Sequence, residues 1–89
     1  MQQGDRLKVF DLKGNQIYYG LVTNQSTFNL HDFGENHVFY GKIVVKGVFN
    51  LFSVNNDSEV IYRVKELDLV TFVVQDLQGN LIYLGKISQ

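Results

Sequence analysis

The sequence predicts an all-β fold, an antiparallel meander of four consecutive β-hairpins with about eight short strands and no helix of note. The first observation is a block that occurs almost unchanged at Asp11–Gly20 and Asp76–Gly85. Looser copies at Asp32–Gly41 and Ser53–Val64 complete four units whose starting positions are about 21 to 23 residues apart, a spacing typical of repeats. The second observation is composition, because the chain has no Ala and no Pro, and Val is its commonest residue.

The length and polarity of the chain fit one small packed domain. Its 89 residues are 45% hydrophobic and 19% charged, which is too apolar for a disordered segment. We therefore expect one domain, 1–89, that consists of the hairpin repeats 5–23, 27–46, 48–66 and 69–88.

Short turn signals separate the strands. Gly14-Asn15 and Gly79-Asn80 lie between apolar runs and predict two-residue hairpin turns, and Glu35-Asn36 occupies the same place in the second copy. The predicted strands, in order, are 5–12, 16–23, 27–33, 37–46, 48–54, 59–66, 69–77 and 81–88. They would form a small closed barrel, two facing layers, or a curved sheet that buries its apolar face against a second copy.

The predicted turns set a register for each hairpin. With Gly14-Asn15 at the turn, Val9 faces Gly20 across the strands and Asp11 faces Tyr18. Alternation then places large apolar residues on one face, which is the predicted core side, with an acidic residue beside an aromatic ring at its rim. These possible ligand-rim residues are Asp11, Tyr18, Asp32, Phe39, Asp76 and Tyr83.

Three glycines inside predicted strands need a structural reason. Gly normally weakens a strand, so Gly20, Gly41 and Gly85 indicate sharp coiling of the sheet or a ring or backbone that lies close over them. The third copy has Val64 at this position and an enlarged polar turn at Asn55–Ser58. We expect it to be the irregular hairpin.

Charge and residue types argue against several functions. A formal net charge of −1, from 8 basic and 9 acidic residues, disfavours nucleic acid as a partner. The chain has no Cys, no phosphate-binding loop before a helix and no recognisable nucleophile motif, so we expect no enzyme and no cofactor. His31 and His37 flank two carboxylates, but His31 and Asp32 point to opposite faces, so no metal site is predicted.

The recurring aromatic residues have two interpretations. Tyr18, Tyr19 and Tyr40 belong to a stripe that pairs across strands, which usually stabilises a sheet, although such rings also stack on single-stranded bases. The hairpin period and the aromatic-x-Gly step resemble MORN and YD-type hairpin repeats. The segment YYGLV, followed by a short polar strand, is similar to Sm-like and PRC barrels. The chain lacks the doubled Gly pattern of MORN repeats, and no functional residue is carried over from these families.

The function predicted from these observations is a non-enzymatic module for protein–protein interaction or assembly that acts as a homo-oligomer. Its partner is a second copy or another protein. The alternatives are a small barrel that binds an apolar or aromatic ligand, and an Sm-like nucleic-acid binder. The sequence shows no leader and no apolar run long enough for a membrane span, so we expect a cytoplasmic protein without membrane contact. The predicted partner surface is the most apolar stretch, with Val44, Val45, Val48, Phe49, Leu51 and Phe52.

Overall fold

A computed structural model describes all residues 1–89 as eight antiparallel strands that close into one barrel. Each strand pairs with the next in sequence, and β1 pairs with β8, so the predicted all-β meander is confirmed and its closed form is the barrel. The strands are β1 (Arg6–Phe10), β2 (Gln16–Asn24), β3 (Thr27–His31), β4 (His37–Val45), β5 (Val48–Ser53), β6 (Asn56–Glu66), β7 (Thr71–Gln75) and β8 (Leu81–Ser88).

Alternate side chains of every strand fill the inside of the barrel. The core is a cluster of eleven buried hydrophobic residues: Leu7, Val9, Val22, Phe28, Leu30, Phe49, Leu51, Val64, Phe72, Val74 and Ile87. Each odd-numbered strand contributes an inward Leu or Phe and, two residues later, an inward Val or Leu. Each even-numbered strand contributes an inward aromatic residue and, two residues later, Gly or Val. This alternation of large and small residues around the circumference lets a narrow barrel fill its interior.

Each predicted hairpin register is wrong by two residues. Val9 lies opposite Tyr18, and Gly20 lies opposite Leu7. The same shift places Gly41 opposite Phe28 and Gly85 opposite Phe72. A shift of two leaves every side chain on its predicted face, because the strand period is two.

Hydrogen bonds in the turns explain the shift. The amide of Gly14 donates to Asp11 O (3.1 Å), and that of Asp11 donates to Asn15 O (2.9 Å), so the loop holds three residues rather than two. Gly14, the last of the three loop residues, has a φ of 91°, which is the left-handed conformation that this position requires. Asp32–Asn36 and Asp76–Asn80 form the same loop.

The third hairpin is irregular, as expected, but not because its turn is enlarged. Ser53 pairs with Asn56, so the turn itself contains only Val54 and Asn55. The extra residues are accommodated in β6, where the register shifts on both sides of the pair formed by Phe52 and Val60. Bulges of this kind increase the local twist of a strand.

Rings and backbone cover the three in-strand glycines. A Cβ atom added to Gly41 would overlap the ring of Phe28, and one added to Gly85 would overlap that of Phe72. At Gly20 the obstacle is the backbone carbonyl of Asn29. The expectation of a close approach at these positions is confirmed.

The first residues of the chain lie across one end of the barrel. The amino group of Met1 lies 3.0 Å from Glu66 Oε1, in the one ion pair of the structure. Glu66 occupies the inward position that Ile43 and Ile87 occupy in β4 and β8. The structure contains no helix that is long and apolar enough to cross a membrane.

Candidate interaction surface

The two ends of the barrel differ in chemistry. One end, which we call the turn end, carries the four hairpin turns that contain Asp11, Asp32, Val54 and Asp76. The opposite end carries the links from β2 to β3, from β4 to β5 and from β6 to β7. The predicted ligand rim lies at the turn end, and part of the predicted partner surface lies at the opposite end.

Aspartates at the turn end bind their own loops. Asp76 Oδ1 accepts hydrogen bonds from the amides of Gln78 (3.0 Å) and Asn80 (2.9 Å), and its Oδ2 accepts one from Asn80 Nδ2 (2.9 Å). Asp11 and Asp32 make the equivalent bonds. Bonds from the Asn that ends each loop lower the pKa of all three carboxyls; the backbone amide dominates at Asp11 and Asp32, and the side-chain amide at Asp76.

Four aromatic rings close the barrel below these turns. Tyr18 contacts Phe39 and Tyr83 edge to face, with centroids 5.4 and 5.9 Å apart. Tyr62 lies between Phe39 (6.2 Å) and Tyr83 (6.1 Å) and completes a closed ring. Burial raises the pKa of Tyr62 and Tyr83.

The rings and the carboxylates of the predicted ligand rim are therefore arranged differently. Its rings converge and fill the mouth of the barrel, and the sequence did not identify Tyr62 as their fourth member, although the repeat placed it in the third copy. Its carboxylates point to turn amides rather than to a shared space. Ligand binding at this rim stays a prediction.

The opposite end presents an apolar surface. The end of β4 and the link from β6 to β7 form it. The amide of Glu66, the last residue of β6, donates a hydrogen bond to Gly47 O in the link from β4 to β5 (2.8 Å). We call this apolar surface the link-end surface and define it by six exposed residues: Ile43, Val44, Val45, Leu67, Leu69 and Val70. An open cleft of about 920 Å³ at this end is lined by residues of both links, among them Lys46 and Leu69, and also by Met1 and Ser26.

The structure places only part of the predicted partner surface there. Val44 and Val45 belong to the link-end surface, whereas Val48 and Phe52 are half-buried on the outer wall. Phe49 and Leu51 are each 1% exposed in the core, so including them was wrong. Their inward orientation follows from the period of β5, in which Phe49 and Leu51 alternate with outward-facing residues.

Sequence reasoning missed the second half of this surface. Leu67, Leu69 and Val70 are exposed, Leu69 by 89% of its area. The prediction had assigned Leu69 and Val70 to a strand, but β7 begins only at Thr71. The signal was Asp68, whose Oδ1 accepts bonds from the amides of Val70 and Thr71 (both 2.9 Å) and thereby forms a loop before the strand.

Stacked rings occupy part of the outer wall. His31 stacks on Tyr19 with centroids 5.6 Å apart and on His37 at 4.9 Å. Tyr40 stacks on Phe52 at 5.2 Å. Each ring in these stacks uses a face on its neighbour, which reduces the area open to bases. No three His, Cys, Asp or Glu residues are grouped so that they could hold a metal ion.

Comparisons of this chain with protein-family models, with curated proteins and with solved structures gave no match.

Proposed function

We propose that this protein is a non-enzymatic assembly module that associates with itself through the link-end surface. The chain leaves fourteen large hydrophobic side chains exposed, more than the eleven that form its core, and six of the fourteen lie on this one surface. Single exposed apolar residues are ordinary on proteins, but contiguous apolar patches mark sites of interaction.

The observation that carries the proposal is the exposure of Leu69 on a hydrogen-bonded loop. This side chain is 89% exposed, yet its loop is held by the Asp68 carboxylate and by the bond from the amide of Ile87 to Val70 O (2.8 Å). A fixed loop that holds a Leu in solvent gains nothing within the monomer. Burial of such a side chain against a partner contributes about 1.5–3 kcal/mol.

Apolar residues at the turn end are arranged differently. Leu12, Phe33, Val54 and Leu77 are exposed there, one in each hairpin turn. Polar turn residues separate them along the chain, and Phe33 already contacts Tyr19, with ring centroids 5.7 Å apart. The link-end surface is therefore the stronger candidate for the interface.

The filled interior supports assembly over ligand storage. The glycines opposite Phe28 and Phe72 leave no room even for a Cβ atom, and four rings close the turn end. A ligand-binding barrel keeps a cavity of about 300 Å³ or more. The clefts of this barrel open to the outside.

The test is the concentration dependence of mass in sedimentation velocity and light scattering, from low to high micromolar protein. We expect the wild type to associate, and Leu69→Lys to remain monomeric because a buried charge replaces a buried apolar group. Leu12→Lys is the matched control, since Leu12 is 57% exposed at the other end of the barrel. A strictly monomeric wild type at high micromolar concentration refutes self-association.

A further inference from the structure

We infer that two copies meet at the link-end surface around a two-fold axis, with Lys46 of each copy facing Asp68 of the partner subunit. This inference rests on the proposed function and specifies its geometry. It predicts a closed dimer, whereas a head-to-tail contact through the same surface would continue into longer assemblies.

Charge on the two links supports a two-fold arrangement. Lys46 lies on the link from β4 to β5 and Asp68 on the link from β6 to β7, and both are exposed. Both also line the same cleft. A two-fold axis through this cleft exchanges the links, so the positive link of one copy faces the negative link of the other.

Neither charged group has a charged partner within the monomer. The one ion pair joins Met1 to Glu66, which accounts for the other acid lining the cleft. Asp68 uses Oδ1 for the amides of Val70 and Thr71, and its carboxylate forms no ion pair. One cation and one anion, on neighbouring links that line one cleft, make the surface complementary to itself.

The size of a stable interface requires both links. A standard interface buries about 800 Å² on each partner, which is about one seventh of the 5539 Å² surface of this molecule. A single loop tip such as Leu69 cannot supply that area, so the contact must extend over the whole end of the barrel. In a two-fold dimer Leu69 would then enter the cleft of the partner subunit.

Charge reversal tests the arrangement. Lys46→Glu places two acids opposite each other at both symmetry-related contacts and should weaken the dimer about tenfold or more in Kd. Asp68→Lys should do the same by opposing two cations. An equimolar mixture of the two variants should form a heterodimer in which both contacts are attractive, detectable by native mass spectrometry because the two chains differ in mass.

Matched variants separate charge from folding. Lys13→Glu makes the same charge change on an exposed lysine at the turn end and should leave Kd within about twofold of wild type. Asp68→Asn keeps the oxygen that accepts the loop amides and removes the charge, so it should weaken the dimer less than Asp68→Lys. Circular dichroism checks that each variant is folded. If Asp68→Lys is unfolded, the Kd values of Lys46→Glu and Asp68→Asn alone test the inference.

Two results would overturn the inference. If Lys46→Glu dimerises as tightly as Lys13→Glu, Lys46 does not face an acid. If the mixture of Lys46→Glu and Asp68→Lys forms no more dimer than either variant forms alone, the two-fold exchange is excluded. If Leu69→Lys still abolishes association in that case, the interface stands and only its geometry is wrong. If the wild type itself is monomeric, the proposed function fails first.

Discussion

Replacing Gly41 by Val should destabilise the barrel by about 2 kcal/mol, because the new side chain and a core ring need the same space. The Cβ atom alone would overlap the ring of Phe28. That ring cannot swing aside, since Phe49 contacts it with centroids 5.2 Å apart. Overpacking costs roughly 1–3 kcal/mol, here towards the upper limit, and loss of the flexible Gly from a strand returns about 0.5–1 kcal/mol.

Urea melts at fixed protein concentration measure this change. A loss of about 2 kcal/mol lowers the midpoint by about 1–2 M for a protein of this size. Lys42→Ala, at the neighbouring outward position, should cost less than about 1 kcal/mol, because its ammonium lies over the Tyr40 ring at 5.5 Å on the surface.

A second substitution identifies the cause. Phe28→Leu makes room at Gly41, so the double variant should be more stable than the sum of the two single effects by about 1 kcal/mol or more. Additive effects, or a neutral Gly41→Val, would refute the explanation from ring contact and would leave the face assignment of β4 without support.

Three further predictions concern turns and titration. Glu35 has a φ of 64°, and the equivalent Gly14 and Gly79 have φ values of 91° and 92°. Glu35→Gly should therefore raise the free energy of unfolding by up to about 1 kcal/mol, and Gly14→Ala should lower it by a similar amount. Thermal melts that rank the two variants in the opposite order would contradict the loop assignment. The pKa values of Asp11, Asp32, Asp68 and Asp76 are lowered in the folded state, so their stabilisation is complete above the unfolded pKa and is lost as pH falls below about 4. Acid melts of Asp76→Asn should show a weaker dependence on pH than those of wild type, and an unchanged slope would exclude this carboxylate as a contributor. Burial raises the pKa of Tyr83, so the contribution of this residue to stability is present below the unfolded Tyr pKa and is lost above about pH 10. An ultraviolet difference titration of Tyr83→Phe should therefore lack one phenol that ionises late in the wild type. An unaltered titration curve would count against burial of this ring.

Local patterns in the sequence determined most of the fold, and the errors have physical causes. Alternation along β3 and β7 places Phe28 and Phe72 inside, and the repeat predicts eight strands. The register could not follow from alternation, because a shift of two residues preserves both faces. It depends on the Asp side chain of each turn, which binds amides two and four residues later and makes the loop longer.

The candidate surface was harder to predict than the core. Hydrophobicity alone grouped Phe49 and Leu51 with Val44 and Val45, although Gly47 turns the chain between them and β5 then alternates. Whether an apolar residue is core or surface in such a stretch depends on which neighbour covers it, and that neighbour is distant in sequence. Leu69 illustrates the converse, since its exposure follows from the hydrogen bonds of Asp68.

Pairing of β1 with β8 has a consequence for how the chain folds. The other seven strand pairs join neighbours in sequence and close only short loops, whereas bringing Arg6 next to Ser88 closes a loop of nearly the whole chain. We therefore expect closure to be the slow step and an open sheet to precede it. That sheet exposes the unpaired strand edges of β1 and β8, which are templates for pairing between molecules. Conditions that slow closure should thus promote aggregation during refolding, even though the finished barrel has no free edge.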